Sequence, residues 1–139
     1  MNSPNKQTIP LSNRYAVICV SGNDAEKFLQ SQFTCDVNQA KNDNSIPGAY
    51  CDQRGRVLCR FTLRLIDTTY WILTQAKNTD IIVKQFKKYG LFSKIEYHIL
   101  KDQQFIGITS LLTTPPPSDT YTWNITSGCQ VIQTDHKHY

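Results

Sequence analysis

The segment from Cys51 to Ile66 constrains the fold of this chain more than any other. The run Asp52-Gln-Arg-Gly55 predicts a type I turn in which Gly55 takes a positive φ, the usual three-residue connection of a β-hairpin. Glycine alone adopts that conformation without a steric cost. The sequence therefore predicts a hairpin whose second strand runs on to Ile66.

The predicted second strand has two different faces. Because side chains alternate along a strand, the odd positions form one face, which is apolar and reads as the core. These core positions are Val57, Cys59, Phe61, Leu63 and Leu65. The even face mixes Leu58, Thr62 and Ile66 with three arginines, Arg56, Arg60 and Arg64.

Neighbouring arginines on the even face should lie about 13 Å apart along the strand. An apolar face with spaced guanidinium groups suits a flat ligand with an anionic tail, or a nucleic acid backbone. Alternatively, the arginine stems cover a second layer while their charged ends reach water.

The rest of the chain alternates strand and helix signals. Strands are predicted at 15–20, 46–51, 70–75, 95–100 and 105–109, with a last hairpin formed by 121–125 and 130–133. A helix with an inner stripe of Ala25, Phe28 and Leu29 should end near Phe33, with Ser21 or Asn23 as its cap. A second helix, from about Asp80 to Tyr89, should turn Ile81, Ile82, Gln85, Phe86 and Tyr89 toward the sheet and Lys84, Lys87 and Lys88 toward water.

This order of elements predicts an α+β fold, a two-layer sandwich of mainly antiparallel sheet with helices on one face. Residues 1–13 are expected to be an extended lead-in and 14–112 the α+β domain. Residues 113–119 contain three consecutive prolines and read as a linker. Residues 120–139 are interpreted as a C-terminal hairpin or the start of a missing second domain.

Composition and motifs exclude several classes of function. The net charge of +4 is too small to argue for nucleic acid by itself. The five cysteines form no Cys-x-x-Cys pair, so no metal site is expected. Neither a phosphate-binding glycine loop nor a hydrolase or metalloprotease motif is present. The sequence shows no membrane-spanning run and no signal peptide, which predicts a cytoplasmic protein.

Three stretches in register resemble the YgfZ family of folate-binding proteins, which is related to the aminomethyltransferase (T-protein) of the glycine cleavage system. The first runs from Val20 to Val37, the second is Cys51-Asp-Gln-Arg-Gly-Arg56, and the third runs from Phe86 to Ile95. The resemblance extends from about Tyr15 to Ser110. It implies that 14–112 is a folate-binding-type domain of a protein that works in iron–sulfur cluster assembly or repair and is linked to tRNA modification.

The resemblance also implies a role for Tyr15, which stands where the family has a folate-contacting tryptophan. Tyr15 is therefore expected to stack on the pterin of tetrahydrofolate or a derivative. The alternation of the strand adds Arg56, Arg60 and Arg64 as groups that neutralise the glutamate tail. These arginines come from the strand pattern, not from the family.

Two departures from the family argue against catalysis. The aminomethyltransferases have an aspartate where this chain has Cys59 and Arg60, and the family motif Lys-Gly-Cys-Tyr-x-Gly-Gln-Glu is absent. Cys129 lies in Ser-Gly-Cys-Gln-Val and does not match that motif. Aminomethyl transfer is therefore not expected.

The sequence leaves two other functions open besides folate binding. A truncated family member can serve as a protein-interaction or self-association module without folate, with Leu58 and Ile66 in the interface. Contact with tRNA through Lys84, Lys87, Lys88 and Lys94 is the third hypothesis. Iron–sulfur proteins, a second copy of the chain and tRNA are thus the candidate partners besides folate.

Overall fold

A computed structural model describes residues 8–10, 14–41, 44–100, 106–108, 122–125 and 129–132, with side chains for 14–41 and 44–100. The strands are β1 (Thr8–Pro10), β2 (Tyr15–Ser21), β3 (Ile46–Cys51), β4 (Val57–Ile66), β5 (Thr69–Gln75), β6 (Glu96–Ile99), β7 (Ile106–Ile108), β8 (Thr122–Ile125) and β9 (Cys129–Ile132). The α-helices are α1 (Ala25–Gln32) and α2 (Thr79–Tyr89).

The main sheet has five antiparallel strands in the order β3-β4-β5-β2-β6. The predicted hairpin forms one edge of this sheet, with β3 outermost and β4 next to it. In its turn the Gly55 amide donates to the Asp52 carbonyl over 2.9 Å. Gly55 has a φ of +80°. The turn that the sequence predicted is confirmed, and it sets the register of β3 against β4, with one irregularity between Tyr50 and Cys51.

Both helices pack on one face of this sheet, so the predicted two-layer α+β sandwich is confirmed. Phe86 of α2 is at the centre of the core, with ring centroids 5.4 Å from those of Phe28 and Tyr97. The sheet contributes its alternate residues, among them Ile18, Leu63 and Ile72, none of which is exposed. These three residues pair across β2, β5 and β4 and form one layer of the core.

The outer edge of β3 is closed by the segment that follows α1. The Thr34 amide donates to the Ala49 carbonyl over 3.1 Å, and the Ala49 amide donates to the Thr34 hydroxyl over 3.0 Å. Phe33 bridges Tyr50 on the same edge. Next along the chain, the Asp36 carboxylate accepts from the Asn38 amide over 3.1 Å and so caps a short 3₁₀ turn, 37–39.

The predicted cap of α1 was wrong. Asp24, rather than Ser21 or Asn23, stands at the N-cap, and it makes no side-chain bond to the helix. Its carboxylate accepts from the Lys94 amide over 2.7 Å, and its own amide donates to the Lys94 carbonyl over 3.2 Å. A tertiary contact with the loop before β6 therefore replaces the local cap.

Two positions predicted to face the core are exposed instead. Val57 at the start of β4 is 60% exposed, and Tyr89 at the end of α2 is 40% exposed. Both lie at the end of the sandwich where the α2 helix stops. Alternation along β4 otherwise holds, because Cys59, Phe61 and Leu63 are buried.

The smaller strands pair among themselves, β1 with β7 and β8 with β9, both antiparallel. The pairing of β8 with β9 agrees with the predicted last hairpin. The linker predicted at 113–119 lies outside the described residues, and the division of the chain into four segments stays a prediction. None of the described helices is long and apolar enough to cross a membrane.

Candidate functional site

The face of the five-stranded sheet that is turned away from α1 and α2 is called the second face here. It holds the even positions of β4 and the odd positions of β2 and β5, because paired residues share a face. Three of the predicted site residues, Tyr15, Arg60 and Arg64, belong to it. Half-buried apolar residues, Leu58, Trp71 and Leu73, lie on the same face.

Tyr15 and Arg60 fall on one row across three adjacent strands. Tyr15 of β2 pairs with Gln75 of β5. The register of β5 on β4, in which Thr74 pairs with Phe61, places Arg60 opposite Gln75 one step further on. The Thr74 hydroxyl donates to the Arg60 carbonyl over 2.9 Å and holds this register. Two strand spacings separate the Tyr15 and Arg60 backbones, about 10 Å.

The row Tyr15–Gln75–Arg60 combines a half-buried aromatic ring with an exposed amide and an exposed guanidinium group. Such a row can stack on a planar ring, offer hydrogen bonds to its edge and pair with a carboxylate. Gln75 did not figure in the sequence prediction. The parity of β5 could have indicated its face, but its neighbours in the row depend on the pairing of three strands.

Arg64 is placed differently from Arg60. It is only 2% exposed and pairs with Trp71, which in turn lies opposite Cys19. Cys19 pairs with the exposed His98 on β6. The interpretation in which every arginine of β4 reaches water is therefore wrong for Arg64. Arg64 lies four residues from Arg60, about 13 Å along the strand.

Arg56 precedes β4 and is engaged in the hairpin turn. Its Nε donates to the Asp52 carboxylate over 2.8 Å, and the same carboxylate accepts from the Arg54 and Arg56 amides. The Arg56 amide, followed by its side chain and the Arg54 amide, holds the pKa of Asp52 below its ordinary value. The four predicted site residues are thus not gathered at one point, and their folate contacts stay a prediction.

Two buried cysteines of the sheet, Cys19 and Cys59, have raised thiol pKa values. Burial raises the pKa of Cys59 to about 11 and raises that of Cys19 as well. Cys59 faces the helices while Arg60 faces away from them, so the two positions that match the family aspartate point to opposite sides of the sheet. Within 14–41 and 44–100, no three His, Cys, Asp or Glu side chains are grouped as metal ligands would be.

A polar cleft lies on the other side of the molecule, along the outer surface of α1. Its volume is about 320 Å³, and it is lined by Asn23, Glu26, Lys27, Gln30 and Asn38. It contains no aromatic or aliphatic side chain and none of the predicted site residues. The second face offers the better combination of apolar surface and polar groups for a ring-bearing ligand.

Known proteins resemble this chain in sequence and in fold. No protein-family model matches the chain. The tRNA-modifying protein YgfZ of Colwellia psychrerythraea strain 34H is 33% identical over 105 residues, which cover 76% of this chain and 32% of that protein. The chain is a homologue of the YgfZ proteins. The tRNA-modifying protein YgfZ of Vibrio vulnificus strain YJ016 is 30% identical over 100 residues, 72% of this chain and 31% of that protein.

The chain spans about a third of the length of the curated YgfZ relatives that it matches. A solved structure, the glycine cleavage system aminomethyltransferase T from Bartonella henselae, superimposes with a TM-score of 0.61 over 67% of this chain and 26% of that one. Its sequence identity is 20%, so this likeness shows the fold alone. The sequence comparisons confirm the resemblance to the YgfZ proteins. The structural comparison shows that the chain shares a fold with part of an aminomethyltransferase.

Proposed function

We propose that the chain is a folate-binding-type domain of a YgfZ-like protein, non-catalytic on its own, that serves iron–sulfur cluster assembly or repair in connection with tRNA modification. The observation that supports this most is the homology with proteins named tRNA-modifying protein YgfZ over 76% of the chain. The cytoplasmic location stays a prediction. Iron–sulfur proteins are the proposed clients.

The row Tyr15–Gln75–Arg60 fits tetrahydrofolate or a derivative. In this proposal the Tyr15 ring packs on the pterin, and the Gln75 amide, which is both donor and acceptor, bonds to the pterin edge. The exposed Arg60 guanidinium pairs with a carboxylate of the glutamate tail. Bound tetrahydrofolate would supply one-carbon chemistry. The three positions of this row carry no carboxylate, which supports folate binding without aminomethyl transfer.

Calorimetric titration of the whole chain with folinate and with tetrahydrofolate tests this role. Arg60→Gln is expected to weaken binding about 10- to 150-fold, because a hydrogen bond to a charged group is worth roughly 1.5–3 kcal/mol. Tyr15→Ala is expected to weaken it about two- to tenfold, from the loss of a ring contact. Arg54→Gln and Tyr89→Ala are matched controls on the helix side of the hairpin and should bind as the wild type does.

Two results would refute the proposal for this chain. The first is the absence of heat and of any shift in melting temperature with either folate. The second is binding that Tyr15→Ala and Arg60→Gln leave unchanged, because the ligand would then lie elsewhere.

The second candidate function is self-association through the second face. Leu58 and Ile66 are half-buried there and would become interface residues. Sedimentation velocity measures self-association directly. A concentration-dependent dimer that Leu58→Ser abolishes would support this function, and a monomer at all concentrations would refute it.

A further inference from the structure

An exposed patch on the helix side of the sandwich combines aromatic, aliphatic and basic side chains. We call it the tip patch, and it consists of Arg54, Lys87, Lys88, Tyr89, Leu91 and Phe92. Phe92 is 99% exposed, Leu91 76% and Tyr89 40%, whereas the other phenylalanines of the described segments are buried. Exposed apolar side chains that are close in the chain and have basic neighbours are typical of a binding surface.

The exposure of Leu91 and Phe92 is built into the backbone. The Gly90 amide donates to the Phe86 carbonyl over 2.8 Å, and the Ser93 amide donates to the Gly90 carbonyl over 3.1 Å. Leu91 and Phe92 are therefore the two central residues of a hydrogen-bonded turn. Beyond it, the Lys94 amide donates to the Asp24 carboxylate, and the Lys94 carbonyl accepts from the Asp24 amide. The turn is fixed at both ends while its two apolar side chains project outward.

The hairpin turn and the end of α2 meet at this patch. The Gln53 side-chain amide donates to the Tyr89 hydroxyl over 3.2 Å, which joins the hairpin turn that carries Arg54 to the end of α2. The Lys88 ammonium lies 5.1 Å from the centroid of the Tyr89 ring. Val57, which is exposed where β4 begins, lies on the same side of the sheet.

The charge of the patch is positive. Arg54, Lys87 and Lys88 are exposed. In the segments 52–55 and 87–94 the one acidic residue is Asp52, and its carboxylate is paired with Arg56. Because two copies would bring like charges together, self-association at this patch is disfavoured. An anionic partner is favoured instead.

We propose that the tip patch binds single-stranded RNA, with Phe92 as a stacking platform for a base and with Lys87, Lys88 and Arg54 contacting phosphates. Exposed aromatic rings beside basic side chains are the combination used for single strands, since every base has a π-face. Leu91 and Tyr89 extend the surface on which the base and its ribose pack. This inference rests on the proposed function for its RNA context, the relatives' description as tRNA-modifying.

Fluorescence anisotropy with a labelled ten-nucleotide uridine RNA, in the absence of folate, tests the inference on the whole chain. A ten-base-pair RNA duplex is the comparison probe, and the single strand is expected to bind more tightly. Phe92→Ala should weaken single-strand binding roughly five- to 150-fold, the range expected for the loss of one stacked base. Phe92→Trp should keep the single-strand affinity because it retains an aromatic ring, whereas Phe92→Leu should weaken it.

The salt dependence separates phosphate contacts from stacking. Replacing Lys87 and Lys88 together by glutamine should reduce the slope of log K against log salt by about 1.4, since each phosphate contact contributes roughly 0.7 for a single strand. Phe92→Ala should leave that slope unchanged. Lys27→Gln on the outer surface of α1 is the matched lysine control and should change neither the affinity nor the slope.

Three outcomes would overturn the inference. The first is the absence of single-strand binding, and the second is an RNA affinity that Phe92→Ala does not change. The third is that Phe92→Ala changes only the oligomeric state measured by sedimentation, which would make the patch a protein interface. Folinate titration of the same variants distinguishes this failure from that of the proposed function. If Phe92→Ala binds folinate normally and RNA binding is absent, the RNA inference alone fails.

Discussion

Replacement of Gly22 by alanine is expected to destabilise the fold for two reasons, and variants of two other glycines separate these reasons. The φ of Gly22 is +119°, which side chains with a Cβ rarely adopt. An added Cβ would also stand 2.3 Å from the Lys94 carbonyl oxygen. That oxygen accepts the Asp24 amide, so relieving the clash would disturb the contact that holds the start of α1.

The magnitude follows from adding the two costs. Backbone strain of this kind costs about 1–3 kcal/mol, and overpacking typically costs a further 1–3 kcal/mol. Since the neighbour is backbone and cannot rotate away, both costs apply, and Gly22→Ala should lower the free energy of unfolding by roughly 2–6 kcal/mol. This is a large share of the stability of an ordinary domain.

Two matched variants isolate the separate contributions. Gly55 has a φ of +80° and nothing within 4 Å of an added Cβ, so Gly55→Ala should cost only the conformational term, about 1–2 kcal/mol. Gly48 has no positive φ, but an added Cβ would stand 2.7 Å from the Phe61 ring and 2.8 Å from the Cys35 sulfur. Gly48→Ala should cost the packing term, about 1–3 kcal/mol.

Urea unfolding monitored by circular dichroism measures all three variants, with an unchanged m-value showing that the midpoint shifts report stability. Gly22→Ala should have the lowest midpoint or be unfolded without urea. The reasoning is refuted if Gly22→Ala is no less stable than Gly55→Ala, because the carbonyl contact would then cost nothing.

Three further predictions concern the core, a thiol and a carboxylate. Phe86→Ala should lower the free energy of unfolding by about 3–5 kcal/mol in urea titrations, because it removes a fully buried ring, whereas a loss below about 1 kcal/mol would contradict the packing described. Cys59 should resist alkylation in the folded protein at pH 8, as peptide mapping would show, because its pKa of about 11 keeps the thiol protonated; labelling as fast as in urea would refute this. Asp52 has a lowered pKa, so it contributes stability above its unfolded pKa that is lost as the pH falls through its folded pKa. The difference in melting temperature between the wild type and Asp52→Asn should therefore be largest at neutral pH and shrink toward pH 3, and a difference independent of pH would disprove the assignment.

The hairpin was predictable from local chemistry. Two local signals independently predict the hairpin: a turn that requires a positive φ at Gly55, and a following strand with alternating side chains. Both depend only on residues that are close together in the chain. The helices were predictable for the same reason, from the periodicity of residues such as Phe28 and Phe86.

The errors arose where tertiary contacts decide the outcome. Strand alternation places Val57 on the same face of the sheet as Cys59 and Phe61. It does not predict how far the helix that covers this face extends. Tyr89 shows the same effect from the helix side. The start of α1 is fixed by the bonds between Asp24 and Lys94, which lie 70 residues apart, and local cap preferences carry no information on that contact.

The candidate site was partly predictable. The faces of Tyr15 and Arg60 follow from strand parity, but their common row depends on the registers of β2 on β5 and of β5 on β4. Gln75 entered the site only through those registers. The burial of Arg64 depends on its surroundings on the second face, and a one-dimensional pattern does not distinguish it from Arg60.

The closed outer edge of β3 has a consequence for solubility at high concentration. The Ala49 amide and carbonyl point outward from the sheet, and both are hydrogen-bonded to Thr34. Pro47 lies two residues away with the same backbone orientation, and it has no amide hydrogen to donate. An incoming strand from another molecule would find few donors and acceptors there. The segment after α1 thus protects this side of the sheet from edge-to-edge polymerisation.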